Sequence, residues 1–135
     1  MKVRESIEVA RPPDDVYATL TDPTRRGTEG AWRDVAREDG IYRAKLRVAR
    51  PIDVDFDCRF ELEEQADRRV LLRGVGTSPR LGFTFEGSFS VRANDGASTV
   101  VVEVDVLPAG SLAGLGQRRL REEARHLIAD YIAAR

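Results

Sequence analysis

Three aspartates, Asp53, Asp55 and Asp57, recur at every second position, a spacing that sets carboxylates on one face of a strand and invites a metal reading. Same-face neighbours on a strand stand about 6.6 Å apart, too far to share one ion, and each aspartate has a basic residue to meet across a hairpin. No metal site is expected. The chain holds one histidine, His126, and one cysteine, Cys58, which excludes imidazole clusters and cysteine-rich zinc centres. His126 lies off the apolar stripe of its helix, Cys58 reads as a small buried hydrophobe, and neither has a triad partner in sight. The polar side chains that fall on inward registers are Glu5, Trp32, Tyr42 and Tyr131. A carboxylate buried at Glu5 needs a partner or a proton, and exposure near the start of its strand is the simpler reading. Tyrosines commonly carry their hydroxyls to a rim. With no general acid and base in a recognisable motif, the sequence assigns no catalytic residue and no cofactor.

These residues are positioned by elements with clear periodicity. Val3 to Ala10 alternates apolar and polar residues, the pattern of a strand with one buried face. Arg11, Pro12 and Pro13 end it, and Asp14 or Asp15 can open a short helix carrying Val16, Tyr17 and Leu20. Asp22 to Ala31 reads as loop or frayed helix. A meander follows: a weak strand from Trp32 to Arg37, a turn at Asp39-Gly40, a strand carrying Tyr42, Ala44, Leu46 and Val48 inward, and a turn at Arg50-Pro51. The next strand alternates Ile52, Val54, Phe56, Cys58, Phe60 and Leu62 with charged neighbours.

Charge suggests a register for this last pair. Setting Val48 opposite Ile52 and Leu46 opposite Val54 places Arg47, Lys45 and Arg43 opposite Asp53, Asp55 and Asp57, each pair contributing about 0.2 to 1 kcal/mol. The same logic faces Glu63 with Arg69 and Phe60 with Leu72. A further hairpin turning at Asn94, Asp95 and Gly96 pairs Val91 with Val100, Phe89 with Val102, Gly87 with Val104 and Phe85 with Val106, and puts Glu86 against Asp105 at a small cost. Pro108 and Gly110 should stop the last strand, with Ser111 as N-cap of a helix of more than twenty residues. Leu112, Leu115, Leu120, Ala124, Leu127, Ile128, Tyr131 and Ile132 form its apolar stripe, which the concave side of the sheet is placed to bury. Arg118, Arg119, Arg121 and Arg125, partly balanced by Glu122 and Glu123, make a basic outer face able to dock an acidic partner protein.

The order of elements, with the opening phrase IEVARPPDDVYATLTDP, resembles the START-like superfamily of helix-grip domains, also called the polyketide cyclase/dehydrase and lipid-transport superfamily. SLAGLGQRRLREEARHLIADYIAAR is similar to the C-terminal helix of the G-type accessory proteins of carbon monoxide dehydrogenase, and FTFEGSFSV after a glycine-rich stretch matches their layout. The resemblance spans the whole chain and implies an α+β helix-grip fold, six to seven curved antiparallel strands around a long C-terminal helix, as a single domain over residues 1–135. For the narrower group it implies an accessory protein of a molybdenum hydroxylase, with roles in membrane recruitment or quinone handling. The segment TRRGTEGAW departs from the apolar helix that relatives carry after Asp-Pro, which puts the usual lid in doubt, and the end at Arg135 gives no support to a membrane anchor.

A curved sheet and one helix meet along a line and leave volume toward one end. The expected cavity wall is Leu46, Val54, Phe56, Phe60, Leu72, Phe83, Phe85, Phe89, Val102, Val104, Leu115, Leu120 and Ile128, around an apolar small molecule. Gly74, Gly76 and Gly87 fall on inner registers, where they make room or allow a bulge. Gly114 and Gly116 suggest close packing or a flexible way in. With 22 basic and 23 acidic residues the net charge is -1, which argues against nucleic acid as partner, and no run of about 18 apolar residues is present. A cytoplasmic binding or carrier module for a quinone-like or lipid ligand is the expectation, and a polyketide aromatase/cyclase-like enzyme using the same cavity the alternative.

Overall fold

The computed structural model describes residues 1–25, 30–49 and 53–133, without the side chains of Arg25, Ser111 and Leu115. Strand β1 (Lys2–Val9) leads into helix α1 (Pro13–Thr21) and a 3-10 turn (Pro23–Arg25). Six strands follow as a meander: β2 (Trp32–Glu38), β3 (Ile41–Val48), β4 (Val54–Gln65), β5 (Arg69–Thr77), β6 (Leu81–Asn94) and β7 (Ala97–Gly110). A 3-10 turn (Ser111–Leu115) and helix α2 (Gln117–Ala133) complete the order. The seven strands form one antiparallel sheet, β1-β7-β6-β5-β4-β3-β2, as the helix-grip resemblance implies.

Alternation reads the faces correctly. Tyr42, Ala44, Leu46 and Val48 of β3 are buried, as are Phe56, Cys58 and Phe60 of β4 and Val100, Val102 and Val104 of β7. The β6–β7 register is the expected one along its whole length, from Asn94 opposite Ala97 to Leu81 opposite Gly110. Its turn is Asp95-Gly96, with φ of 47° and 83°, the paired positive angles of a two-residue hairpin whose twist matches the strands. No bulge interrupts β5–β6 or β6–β7 at Gly74, Gly76 or Gly87.

Two registers differ from expectation. In β3–β4, Val48 faces Val54, Leu46 faces Phe56 and Arg43 faces Arg59, so the pairing stands two residues away from the one that charge suggested. In β4–β5, Gln65 faces Arg69 and Phe60 faces Gly74, again two residues from expectation. A shift of two keeps every side chain on its own face, so hydrophobic alternation cannot detect it. The ion pairs adapt: Lys45 Nζ lies 2.8 Å from Asp57, Arg47 reaches Asp53 and, at 3.2 Å, Asp55, and Arg33 lies 3.5 Å from Asp55. The turn expected at Arg50-Pro51 and its neighbour Ile52 lie outside the described residues.

The element ends also correct the sequence reading. Helix α1 begins at Pro13 itself, with Pro12 at the cap and Asp14 and Asp15 in the first turn, where acidic side chains suit the helix dipole. The salt bridge Asp14–Arg68 (2.9 Å) and the hydrogen bond from Tyr17 to Glu64 (2.9 Å) tie α1 to the β4–β5 turn. Strand β7 runs through Pro108 to Gly110 instead of stopping there. Val106 donates its N–H to Met1 O, and Pro108, two residues on, points its ring nitrogen to the same side, beyond the last β1 pairing, so the missing N–H costs nothing. Gly110, not Ser111, stands at the cap of the 3-10 turn, and Gly116, with φ of 91°, breaks the expected long helix into that turn and the 17-residue α2. Among the described residues, added Cβ atoms at Gly114 and Gly116 would meet nothing within 4 Å, which argues against close packing as their reason.

Helix α2 packs its apolar stripe toward the sheet and is tied to the rest of the fold by polar contacts along its length. Arg125 bonds Glu5 of β1 at 2.9 Å, Asp130 accepts from Ala31 N at 3.1 Å, and Tyr131 donates to Leu20 O at 3.0 Å. Ile132 joins Val16, Leu20, Val70, Phe89 and Val100 in the largest buried cluster among the described residues.

Candidate functional site

Beside this cluster, and sharing Leu20, Phe89 and Ile132 with it, helix and sheet leave a cavity of about 180 Å³. All five phenylalanines of the chain line it: Phe56 and Phe60 from β4, and Phe83, Phe85 and Phe89 from β6. Phe83 meets Phe56 edge to face (centroids 5.0 Å apart) and leans against Phe85 (6.0 Å), so the wall is a continuous aromatic surface. Leu46, Val54, Leu72, Val102 and Val104 complete the sheet side, and Leu120 and Ile128 face them from α2. Each of these sits where inward alternation or helical spacing puts it. Leu115, expected among them, has no described side chain.

The four polar candidates do not converge. Trp32 and Tyr131 line the cavity, their rings edge to face at 5.8 Å, but their polar tips are engaged by main-chain carbonyls: Trp32 Nε1 donates to Leu127 O (3.4 Å) and Tyr131 to Leu20 O. Tyr42 is buried outside the cavity, stacked on Phe60 at 5.3 Å, with its hydroxyl donating to Thr21 O (3.4 Å). Glu5 does point inward, yet beneath α2, where Arg125 meets it; the basic side chain across from β1 is what lets a carboxylate stand in that place. So Glu5 and Tyr42, two of the inward polar candidates, do not line the cavity.

Sequence reasoning missed Glu123, the one charged side chain on the wall among the described residues. Its charge groups it with Glu122 on the outer face, but it stands three residues after Leu120 and four before Leu127, within the apolar stripe. Helical spacing could have found it. Met1, Leu20, Val48, Leu62, Val106, Pro108, Leu112, Ala124, Leu127 and Ile132 also contribute. Leu112 matters most among these, because the 3-10 turn before Gly116 seats it against Leu46, Val48, Phe56 and Cys58.

Cys58 is buried, and burial pushes its thiol up to about 12, which leaves it protonated and inert as a nucleophile at neutral pH. His126 is exposed on α2. No cluster of three or more histidine, cysteine, aspartate or glutamate side chains able to hold a metal occurs among the described residues. No described helix is long and apolar enough to cross a membrane. A larger hollow, about 930 Å³, lies on the outer face of the sheet between charged residues, where Arg4 pairs with Glu103 (3.4 Å) and Arg73 with Glu61 (3.0 Å). Ligand sites are typically concave and mostly apolar with few polar groups, which favours the inner cavity.

The family described as polyketide cyclase/dehydrase and lipid transport matches residues 1–134. Among solved structures, a conserved protein from Geobacillus kaustophilus superposes with a TM-score of 0.85 at 20% identity, over 97% of this chain and 90% of that one. The Zhui aromatase/cyclase from Streptomyces sp. R1128 gives 0.63 at 23% identity, over 97% and 86%. A START superfamily protein from Mycobacterium smegmatis gives 0.69 at 11% identity, over 96% and 90%. At these identities the likeness is one of fold. Among curated proteins none is significantly similar to this chain.

Proposed function

The chain belongs to the polyketide cyclase/dehydrase and lipid transport family, and from that premise we propose that it is a non-enzymatic carrier that takes up one apolar small molecule in the inner cavity. The observation that carries the reading is a wall built from every phenylalanine of the chain, with the polar atoms of Trp32 and Tyr131 turned away into main-chain hydrogen bonds. At about 180 Å³ the cavity is close to the roughly 150 Å³ apolar cavity that holds benzene. That size suits one or two rings, or a short acyl segment, and a quinone-like ring is the form we favour. The similarity of the C-terminal segment to the G-type accessory proteins of carbon monoxide dehydrogenase supports a finer reading, in which the loaded domain presents its ligand to a molybdenum hydroxylase docked on Arg118, Arg119 and Arg121.

Trp32 is the only tryptophan and sits on the wall, so its fluorescence reports occupancy directly. The test is native mass spectrometry and organic extraction of the purified protein, with titration by quinones, lipids and aromatic polyketides. Co-purified ligand, or saturable quenching of Trp32, is expected. A domain that is always empty and refuses all three classes would refute the carrier.

An aromatase/cyclase-like reading draws on one observation, Glu123 on the cavity wall. The wall is almost wholly apolar, so Glu123 lines it through its stem, and enolisation or dehydration of a polyketide would require that carboxylate to turn inward, since Glu5 and Tyr42 lie elsewhere. Turnover of a polyketide chain that Glu123→Gln abolishes would establish the enzyme in place of the carrier.

A further inference from the structure

The inner face of the sheet carries three glycines among the aromatic rings, and what a methyl group would meet differs at each. At Gly87 it would strike main chain, Glu103 O at 2.0 Å and Val104 Cα at 2.8 Å. At Gly74 it would meet both main chain and side chains: Arg59 O at 2.5 Å, Phe85 Cζ at 2.6 Å and Phe60 Cβ at 2.7 Å. At Gly76 the three nearest atoms all belong to the Phe83 ring, Cε1 and Cζ at 2.3 Å and Cδ1 at 3.1 Å. The backbone does not demand glycine at 76, since its φ lies outside the left-handed region and a strand accepts any side chain there.

The ring demands it. Gly76 is the cross-strand partner of Phe83, and Gly74 that of Phe85. A phenyl ring laid over a glycine of the neighbouring strand occupies the place of the absent side chain, and so takes its volume from the wall and not from the cavity. We propose that Gly76, with Gly74 beside it, is a specificity-determining position of the ligand site: it berths Phe83 against the sheet and thereby sets the cavity wide enough for a two-ring apolar ligand. This rests on the reading that the cavity holds a ligand. Carbon atoms in contact stand about 3.5 to 4.0 Å apart, so a methyl at 76 drives the ring back by about 1.2 Å or more. Strand β5 is behind the ring and Phe56 and Phe85 flank it, which leaves the cavity as the direction of retreat.

Gly76→Ala is the clean test, because the three atoms nearest the new methyl all belong to one side chain. The probes are 2,5-dimethyl-1,4-benzoquinone, with one ring and a smaller volume, and menadione, with two fused rings, followed by quenching of Trp32; the protonated, buried Cys58 thiol disfavours addition of either quinone to the protein. The wild type is expected to bind both. In Gly76→Ala menadione should weaken about tenfold or more and the dimethylbenzoquinone by less than about threefold. Adding Phe83→Leu should restore menadione to within about threefold of wild type, with thermal melting showing all variants folded. Unchanged menadione binding in folded Gly76→Ala, or no restoration in the double variant, would overturn the inference while leaving the carrier intact. A wild type that refuses both quinones would remove the quinone-binding cavity and this inference together.

Discussion

The β6–β7 and β3–β4 hairpins hold the same kind of inner face by different means. In β6–β7 the strands meet at Asp95-Gly96, a two-residue turn in which both φ angles are positive, and the register follows from that turn through every pair to Leu81 and Gly110. It does so although Glu86 faces Asp105 and a proline stands in the strand. In β3–β4 five residues, 49–53, separate the paired Val48 and Val54, and complementary charges line the outer face. There the charges do not select the register: Arg47 serves two aspartates, Arg33 supplies a third contact, and the register that charge alone favours is not adopted. A backbone conformation that few residues can adopt outweighs several exposed ion pairs, each worth well under 1 kcal/mol.

Substitutions can break or sharpen this contrast. The largest effect is expected at Gly87, where a Cβ would overlap the main chain of β7; Gly87→Ala should cost about 3 kcal/mol or more in a urea titration, since neither strand of a register-locked hairpin can slide away. Next is Gly96→Ala. A Cβ there has open space around it, so its cost of about 1 to 2 kcal/mol would be backbone strain at φ 83° alone. One glycine inserted after Ala49 should cost less than about 0.3 kcal/mol, because lengthening an already long connection adds little closure entropy.

On the β3–β4 side the buried Cys58 thiol adds a pH dependence. Its pKa is raised, so the unfolded chain loses this proton first as pH climbs, and the stability it contributes is complete below about 9 and lost on the way to about 12. The slope is at most about 1.4 kcal/mol per pH unit. Urea midpoints at pH 8 and 10 should fall more for wild type than for Cys58→Ala. The smallest effects belong to charge. Arg47→Gln should cost well under 1 kcal/mol and nothing in high salt, and Glu86→Gln should be neutral or slightly stabilising. A larger loss at Arg47 than at Gly96 would reverse the contrast.

Much of this is legible in the chain itself. Period-2 alternation assigns the inner faces of β3, β4, β6 and β7, and helical spacing assigns that of α2, because burial enforces both. Residue types at the turns fix the β6–β7 register. What stays hidden has one cause in each case. Shifts of two residues leave alternation unchanged, as in β3–β4 and β4–β5. Pro108 looks like a stop because its neighbour strand is shorter than β7, a fact of topology and not of sequence. Glu5 and Tyr42 share the inward parity of wall residues, but parity does not say whether α2, α1 or open space lies above. Glu123 is masked by its charge, which draws the eye from its position in the stripe.

The two free margins of the sheet bear on how the protein behaves in company. A strand margin with unpaired donors and acceptors is a template for another chain, and crowded solutions punish it. On one side the margin is β1, and where β7 runs on beyond Lys2 it presents Pro108, which has no proton to offer an incoming strand; the opposite margin, β2, is interrupted between Arg33 and Ala36, with Asp34 at φ 54°. Both places read in one molecule as irregularities of pairing. Between molecules they are guards, and a Pro108→Val chain would be expected to fold as before but to associate edge to edge as its concentration rose.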